Sequence, residues 1–562
     1  MKKALTILVA AAMIVSSLTA CGGGATTQTA GSPSTAASGQ PAVGTAAQTA
    51  NICMEADPDT LDPSRSDDEN KCAIVGEVQE GLVRMHDGKL EAAGAESWEV
   101  SKDGLTWTFK LRDNKYSDGS AVVAGDYVNA VQRIFDPEVN CHNAGIFYCI
   151  KGGEAFNTGK GSKEDVCVKA PDDKTLVFTL KEALPYFEQL TNFINVSPIK
   201  TSATQGSKNS SYGATAEEMF YSGPFYIASW TRGSDIVLKK NASYWDAKNV
   251  KLDQINVKLV QEPQTREQMF SQGQLDTLRN ASTEYVNSVK GKIDSGDMVL
   301  KEGPAPRSSY ICFNNLDPNK IFTNAKVRKA FSLAIDRDAL VNNVMKKDKP
   351  AYGLIPYSIN NGDVIYRDKV EQSLEASKNQ DPKALFQEGL KELGLDPSKQ
   401  ITVTFLQKNS NNDTKVQGEF YQNQWESKLG VKVKIDTASD NSAFNNTVSK
   451  GLYQICQTGW GADYNDPMTF FQCYVTGDGN NPAFFSNAKY DELVNSCKTE
   501  SDMNVRLEKF KEAEKILVDE QAGIGPLTFT FSKNLFSKRL QGAIINGAGG
   551  PAVEYKYASI AG

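Results

Sequence analysis

The chain has 562 residues, 40% of them hydrophobic, and a formal charge of −7; this is enough chain for more than one core, so at least two lobes are expected. The acidic balance, without a basic block, argues against nucleic acid as a partner. Only two histidines occur, His86 and His142, both outside metal-ligand spacing, and no P-loop, G-x-G-x-x-G or G-x-S-x-G motif is present, so zinc, nucleotide and Ser-His-Asp chemistries are poorly served.

In chain order, Lys2 and Lys3 precede an uncharged apolar run over residues 4–15, the layout of a secretory signal and too short for a membrane span. The run closes on Leu18-Thr19-Ala20-Cys21, which resembles the lipobox of bacterial lipoproteins. That resemblance implies cleavage before Cys21 and a lipid on its sulfur; ordinary cleavage after Ala20 beside a chance cysteine is the competing reading. Small and polar residues without Asp, Glu, Lys or Arg fill 22–50, a composition that builds no core, and as a coil they reach about 30 Å. A leader (1–20) and a lipid-anchored linker (21–50) are therefore expected, with the body held at the cell membrane on its extracytoplasmic face. Loss of the leader takes the charge from −7 to −9.

The body mixes strand and helix signals without a repeat. Leu105, Trp107, Phe109 and Leu111 alternate with polar residues, as do Leu176, Phe178 and Leu180, predicting half-buried strands. Further strands are predicted over 255–260, 401–406 and 431–435. A helix is predicted from Thr323 or Asn324, with Val327, Phe331 and Ala334 on one face and Arg328 and Lys329 turned elsewhere, and another from Asp336. Leu507, Phe510, Ala513 and Leu517 stripe a helix over 504–520, followed by an apolar strand over 524–531.

Nine cysteines remain beyond Cys21, none in a C-x-x-C pair. An extracytoplasmic site permits disulfides, yet burial as small apolar residues explains them equally well, and spacing fixes no pairing. Both histidines read as surface or loop residues. The carboxylate runs Asp172-Asp173 and Asp67-Asp68-Glu69 read as solvated loops. No catalytic residue, metal site or cofactor is indicated, and binding is favoured over chemistry.

Several segments then line up in one order: Asp57-Pro58-Asp59-Thr60-Leu61-Asp62-Pro63 with Glu80-Gly81-Leu82 and Ala95-Glu96-Ser97-Trp98; Leu105 through Arg112 with Tyr116-Ser117-Asp118-Gly119, Ala124-Gly125-Asp126-Tyr127-Val128 and Arg133; Ser222-Gly223-Pro224-Phe225; Asn241-Ala242-Ser243-Tyr244-Trp245-Asp246; and Val327-Arg328-Lys329-Ala330-Phe331 leading to Ala334-Ile335-Asp336-Arg337. In order and spacing this series resembles family 5 of the extracellular solute-binding proteins, typified by the periplasmic oligopeptide-binding proteins. The resemblance implies an α/β, two-lobed, three-domain clamshell with a hinge between lobes (type II-like, cluster C) that closes on ligand. It divides the body into domain I (51–79, 210–304 and 527–562), domain II (80–209) and domain III (305–526). It also implies a non-enzymatic, monomeric protein that captures oligopeptides and delivers them to a membrane permease and ATPase encoded as separate chains; the same fold binding an oligosaccharide, haem or metal chelate, or sensing a peptide signal, is the alternative.

Gly459-Trp460-Gly461-Ala462-Asp463-Tyr464-Asn465-Asp466-Pro467 resembles the family's cleft motif, whose aspartate holds the α-ammonium group of a peptide. Asp463 is thus the expected ammonium partner, since a carboxylate in a dry cleft gains a charge-assisted hydrogen bond. Gly459 and Gly461 would let a peptide backbone approach as an added strand, Trp460 would wall a ligand side chain, and Phe147 or Tyr148 would cover the ligand from the opposite lobe. Gln457 stands where the family type has a cationic partner for the peptide carboxylate, Gly461 replaces a cysteine, and the histidine expected near Asn412 to Thr414 is absent, so a close grip on the carboxylate of very short peptides is not expected.

Overall fold

The computed structural model describes residues 47–561 apart from 207–210, 409–411 and 549–550; the leader, Cys21 and the linker as far as residue 46 lie outside the described residues. Strand β1 (Thr49–Met54) begins within the expected linker. Ala50, small enough to pass for linker, is fully buried opposite Ile255, so the backbone is committed to a sheet earlier than composition suggests. Helix α1 (Glu69–Val78) follows, with the Asp68 side chain accepting from the Asn70 and Lys71 amides as an N-cap.

The chain next builds a separate antiparallel sheet from β2 (Ala95–Val100), β3 (Thr106–Leu111), β4 (Val168–Asp172) and β5 (Thr175–Thr179), in the order β2-β3-β5-β4, with α2 (Ala124–Phe135) packed on it. Trp107, Phe109 and Leu111 point inward together, as the period-two pattern requires. The chain then returns to the first sheet with β6 (Phe225–Thr231), β7 (Asp235–Lys240) and β8 (Gln254–Leu259), in the order β1-β8-β7-β6 with β1 parallel to β8.

The third sheet is entered on the long strand β9 (Met298–Phe313). Helix α3 (Ala325–Leu333) is capped by Asn324, and α4 (Pro382–Glu392) packs beside it. The remaining elements are β10 (Thr402–Gln407), α5 (Asn412–Leu429), β11 (Lys432–Thr437), β12 (Ile455–Gly461), α6 (Met503–Glu514) and β13 (Ile524–Ser537), and the sheet runs β13-β9-β12-β10-β11. Val327, Phe331 and Ala334 are fully buried, with Phe331 against Trp425 of α5 at 5.6 Å between rings. Arg328 is buried as well: it is 4% exposed and donates to the carbonyls of Phe322, Gln521 and Ala522. Those carbonyls satisfy the guanidinium donors that burial strips of water.

Strands β9 and β13 pair from Met298↔Ser537 to Cys312↔Ile524, with register breaks between Pro304 and Ser308 and between Ser309 and Tyr310. Below the first break they join the first sheet's lobe: Asp276 accepts from the Asn51 amide at 2.8 Å and from the Ser537 hydroxyl at 2.7 Å. Above it they continue into the third sheet, where β9 pairs with β12. The fold is therefore α/β, two lobes in three domains, each domain on its own sheet, with two paired strands crossing between lobes. Across the lobes one apolar cluster runs from Phe109 and Phe187 to Tyr464 and Phe471.

No helix among the described residues is long and apolar enough to cross a membrane. The nine cysteines from Cys53 to Cys497 are free thiols, Cys312 and Cys456 lying opposite each other on β9 and β12. His86 is not a free surface residue: its Nδ1 lies 3.2 Å from Glu554 Oε2 and its ring meets Tyr557 edge-on. Asp172 and Asp173 are exposed, as read from the sequence.

Candidate functional site

A cavity of about 580 Å³ opens where the crossing strands change register, within the size range of small-ligand sites. Ser66, Glu80 and Phe193 line it from one lobe, Arg307 and Asp463 from the other, and Pro304 to Pro306 between them. The Asp67-Asp68-Glu69 run is exposed, as read from the sequence, and borders this wall where the loop leads into α1. Its charges are accounted for: Asp67 pairs with Lys71 at 2.7 Å, Asp68 caps the helix, and Glu69 pairs with Arg279. Arg84, also on the wall, pairs with Glu80 at 3.2 Å and with Glu554 at 2.8 Å.

Asp463 is different. Among the described residues its carboxylate has one side-chain partner, the Thr469 hydroxyl, which donates to Oδ2 at 3.2 Å, and no cation pairs with it. Burial pushes its carboxyl up to about 6, with the Thr469 hydrogen bond opposing, the signature of an anion held without a counter-charge. The loop that presents it is fixed from behind: Arg506 of α6 donates to both oxygens of Asp466 at 2.6 and 2.7 Å, and Asn465 accepts from the Asn360 amide at 2.9 Å. Such a bidentate, fully buried pair sets geometry. The site can neutralise a ligand cation.

The other expected residues separate. Gly461 lines this cavity with Asp463, whereas Gly459 and Gln457 line a second cavity of about 210 Å³. A Cβ on Gly459 would stand 2.6 Å from the Ser308 carbonyl, so that glycine serves the approach of β9 to β12 rather than of a ligand. Trp460, on the opposite face of β12, packs against the core with its indole N–H buried and lacking an acceptor among the described residues. Phe147 is 1% exposed against Phe193 at 5.5 Å between rings, and Tyr148 donates from its hydroxyl to Asn157 at 2.7 Å. Neither lines either cavity. Phe193 takes Phe147's expected place, and the aromatic that meets the motif from the second sheet's domain is Tyr186, stacked on Tyr464 at 5.4 Å and 4°.

On the side of β12 away from β9, β10 pairs only with Ile455 and Cys456; from Gln457 to Gly461 that edge carries no strand among the described residues. The edge leads from the second cavity to Asp463. Sequence reasoning also missed Arg307 and Lys408, which line the second cavity beside Gln457. Isolated basic residues on separate strands carry no local signal, and only the pairing of β9 with β12, and of β12 with β10, brings them together. Among the described residues no three His, Cys, Asp or Glu side chains are arranged to hold a metal.

The family model for bacterial extracellular solute-binding proteins, family 5 (Middle), matches residues 89–482. Oligopeptide-binding protein OppA of Bacillus subtilis (strain 168) is 32% identical over 510 residues, covering 89% of this chain and 91% of that protein. Dipeptide-binding protein DppE of the same organism is 32% identical over 497 residues, covering 87% and 88%. The structure of Listeria monocytogenes OppA bound to peptide superimposes with a TM-score of 0.73 at 29% identity, covering 92% of this chain and all of that one.

Proposed function

The chain belongs to the bacterial extracellular solute-binding proteins of family 5, and from that premise we propose that it captures oligopeptides between its lobes and hands them to a membrane permease driven by a separate ATPase. The observation that carries the reading is the unpaired, half-buried carboxylate of Asp463 on the wall of the larger cavity. A peptide's α-ammonium supplies the charge it lacks. The open edge of β12 from Gln457 to Gly461 supports the same reading, because an extended peptide adds to such an edge through main-chain hydrogen bonds that ignore side-chain identity. The names of the relatives, oligopeptide- and dipeptide-binding proteins, agree with that cargo.

Closure turns on the register break between Pro304 and Ser308, with residues 305–526 moving as a body against the rest. A lipid on Cys21 keeps the monomer at the extracytoplasmic face of the cell membrane. The full chain in detergent should bind a free peptide by calorimetry far more tightly than its N-acetylated twin; equal affinities would sink the role of Asp463. Cys21→Ala should release the protein from the membrane fraction with peptide binding intact, and retention there would refute the anchor.

A further inference from the structure

Arg307 and Lys408 stand together on the second cavity, with uncharged polar residues, Gln417 and Gln457 among them, on the rest of its wall, and no carboxylate among the described residues lines it. Neither cation has an ion pair among the described residues; the Lys408 ammonium sits 4.9 Å over the Phe444 ring. Burial and the charge of Arg307 both hold the Lys408 ammonium below its ordinary range. Two like charges sharing a concave, partly dry wall are a deficit of negative charge. Gln457 does not fill it, since its amide nitrogen donates to Ser309 Oγ at 3.1 Å and to Gln417 Oε1 at 3.3 Å.

Position decides what brings the missing charge. Arg307 lines both cavities, which therefore adjoin at its side chain. A peptide whose amino end meets Asp463 and whose backbone follows the free edge of β12 reaches Thr458 and Gly459 after about 13–17 Å of strand, at about its fifth or sixth residue. We propose that the second cavity is a side-chain subsite for an aspartate or glutamate carried at that interior position, clasped by Arg307 and Lys408. The proposal rests on the peptide reading above and adds a preference that the open strand edge alone does not give. A guanidinium offers a carboxylate two parallel hydrogen bonds and an ammonium a point charge, so the uncharged amide analogue leaves the pair unneutralised.

The test is calorimetry of the full chain in detergent with alanine-based octapeptides, free at the amino end and amidated at the other, carrying one Glu or one Gln at each position in turn. At one interior position Glu should bind at least tenfold tighter than Gln. The gain should vanish in Arg307→Gln/Lys408→Gln, and in Arg307→Gln/Lys408→Glu the preference should pass to Lys over Gln; thermal melting shows that each variant is folded. Equal affinity for Glu and Gln at every position of the unaltered protein overturns the subsite without recourse to variants. So does a gain that survives the double substitution, or one that appears only when the carboxyl end is left free, which assigns the cations to a terminal carboxylate. Failure of every octapeptide to bind overturns the peptide reading itself, and the subsite with it.

Discussion

At the scale of single residues, Asp463 sets a trade between stability and binding. Its carboxyl sits near 6 in the folded, ligand-free protein, against an ordinary value of 3.8, so the folded state takes up the proton first as pH falls. The sign follows: above pH 6 the ionised group costs the empty protein stability, and the cost is recovered between about pH 6 and 4. Asp463→Asn should therefore raise the melting temperature of the empty protein at neutral pH, with an upper bound of about 3 kcal/mol. The same change should weaken a free peptide by at least about a hundredfold, since the ligand ammonium then goes unpaired. In the unaltered protein affinity should peak near pH 7, fall as pH drops through 6 and fall again as the ligand's own ammonium, with an ordinary value of about 8, loses its proton; the variant should lose the acid limb, and calorimetry across pH 5–8 reads it. The motif that carries Asp463 stands out in the sequence because it is contiguous in the chain. Arg307 and Lys408 do not, because about a hundred residues separate them and only strand pairing unites them. That Phe147 and Tyr148 line neither cavity is hidden for a different reason: an aromatic in sequence reads alike whether it faces ligand or core.

At the scale of elements, β12 shows how one strand serves two edges. Gly459 lies where the Ser308 carbonyl occupies the space of a Cβ, while a Cβ on Gly461 would meet only Arg307 Nη1 at 3.6 Å. Gly459→Ala should cost about 1–3 kcal/mol by overpacking, and Gly461→Ala little. Urea unfolding of the two side by side decides; equal costs would refute the strand-approach explanation. Elements with strong local signals were well read, including the alternation of β3 and the Asn324 and Asp336 caps. Helix α5 was passed over although Gly418, Tyr421, Trp425 and Leu429 recur at helical spacing and are buried, because polar residues fill the rest of its surface. The burial of Arg328 had no local signal at all: most of its carbonyl partners lie 193 and 194 residues away.

At the scale of the molecule, the α/β clamshell was legible from a series of short segments in order, a signal distributed along the chain rather than concentrated in one string. The sharing of structure between lobes was not. Strands β9 and β13 pass from one lobe to the other as a pair, and one apolar cluster includes residues of both. Scanning calorimetry of the full chain should therefore show one cooperative transition for the folded body, with its midpoint raised by bound peptide; two resolved transitions would show that the lobes unfold separately. The contact of Tyr186 with Tyr464 has a consequence of another kind. Two rings held 5.4 Å apart and within 4° of parallel, one on each side of the opening, are electronically coupled chromophores whose near-ultraviolet dichroism depends on their mutual orientation. Parting the lobes separates them, so the molecule carries its own optical gauge of opening without any attached dye.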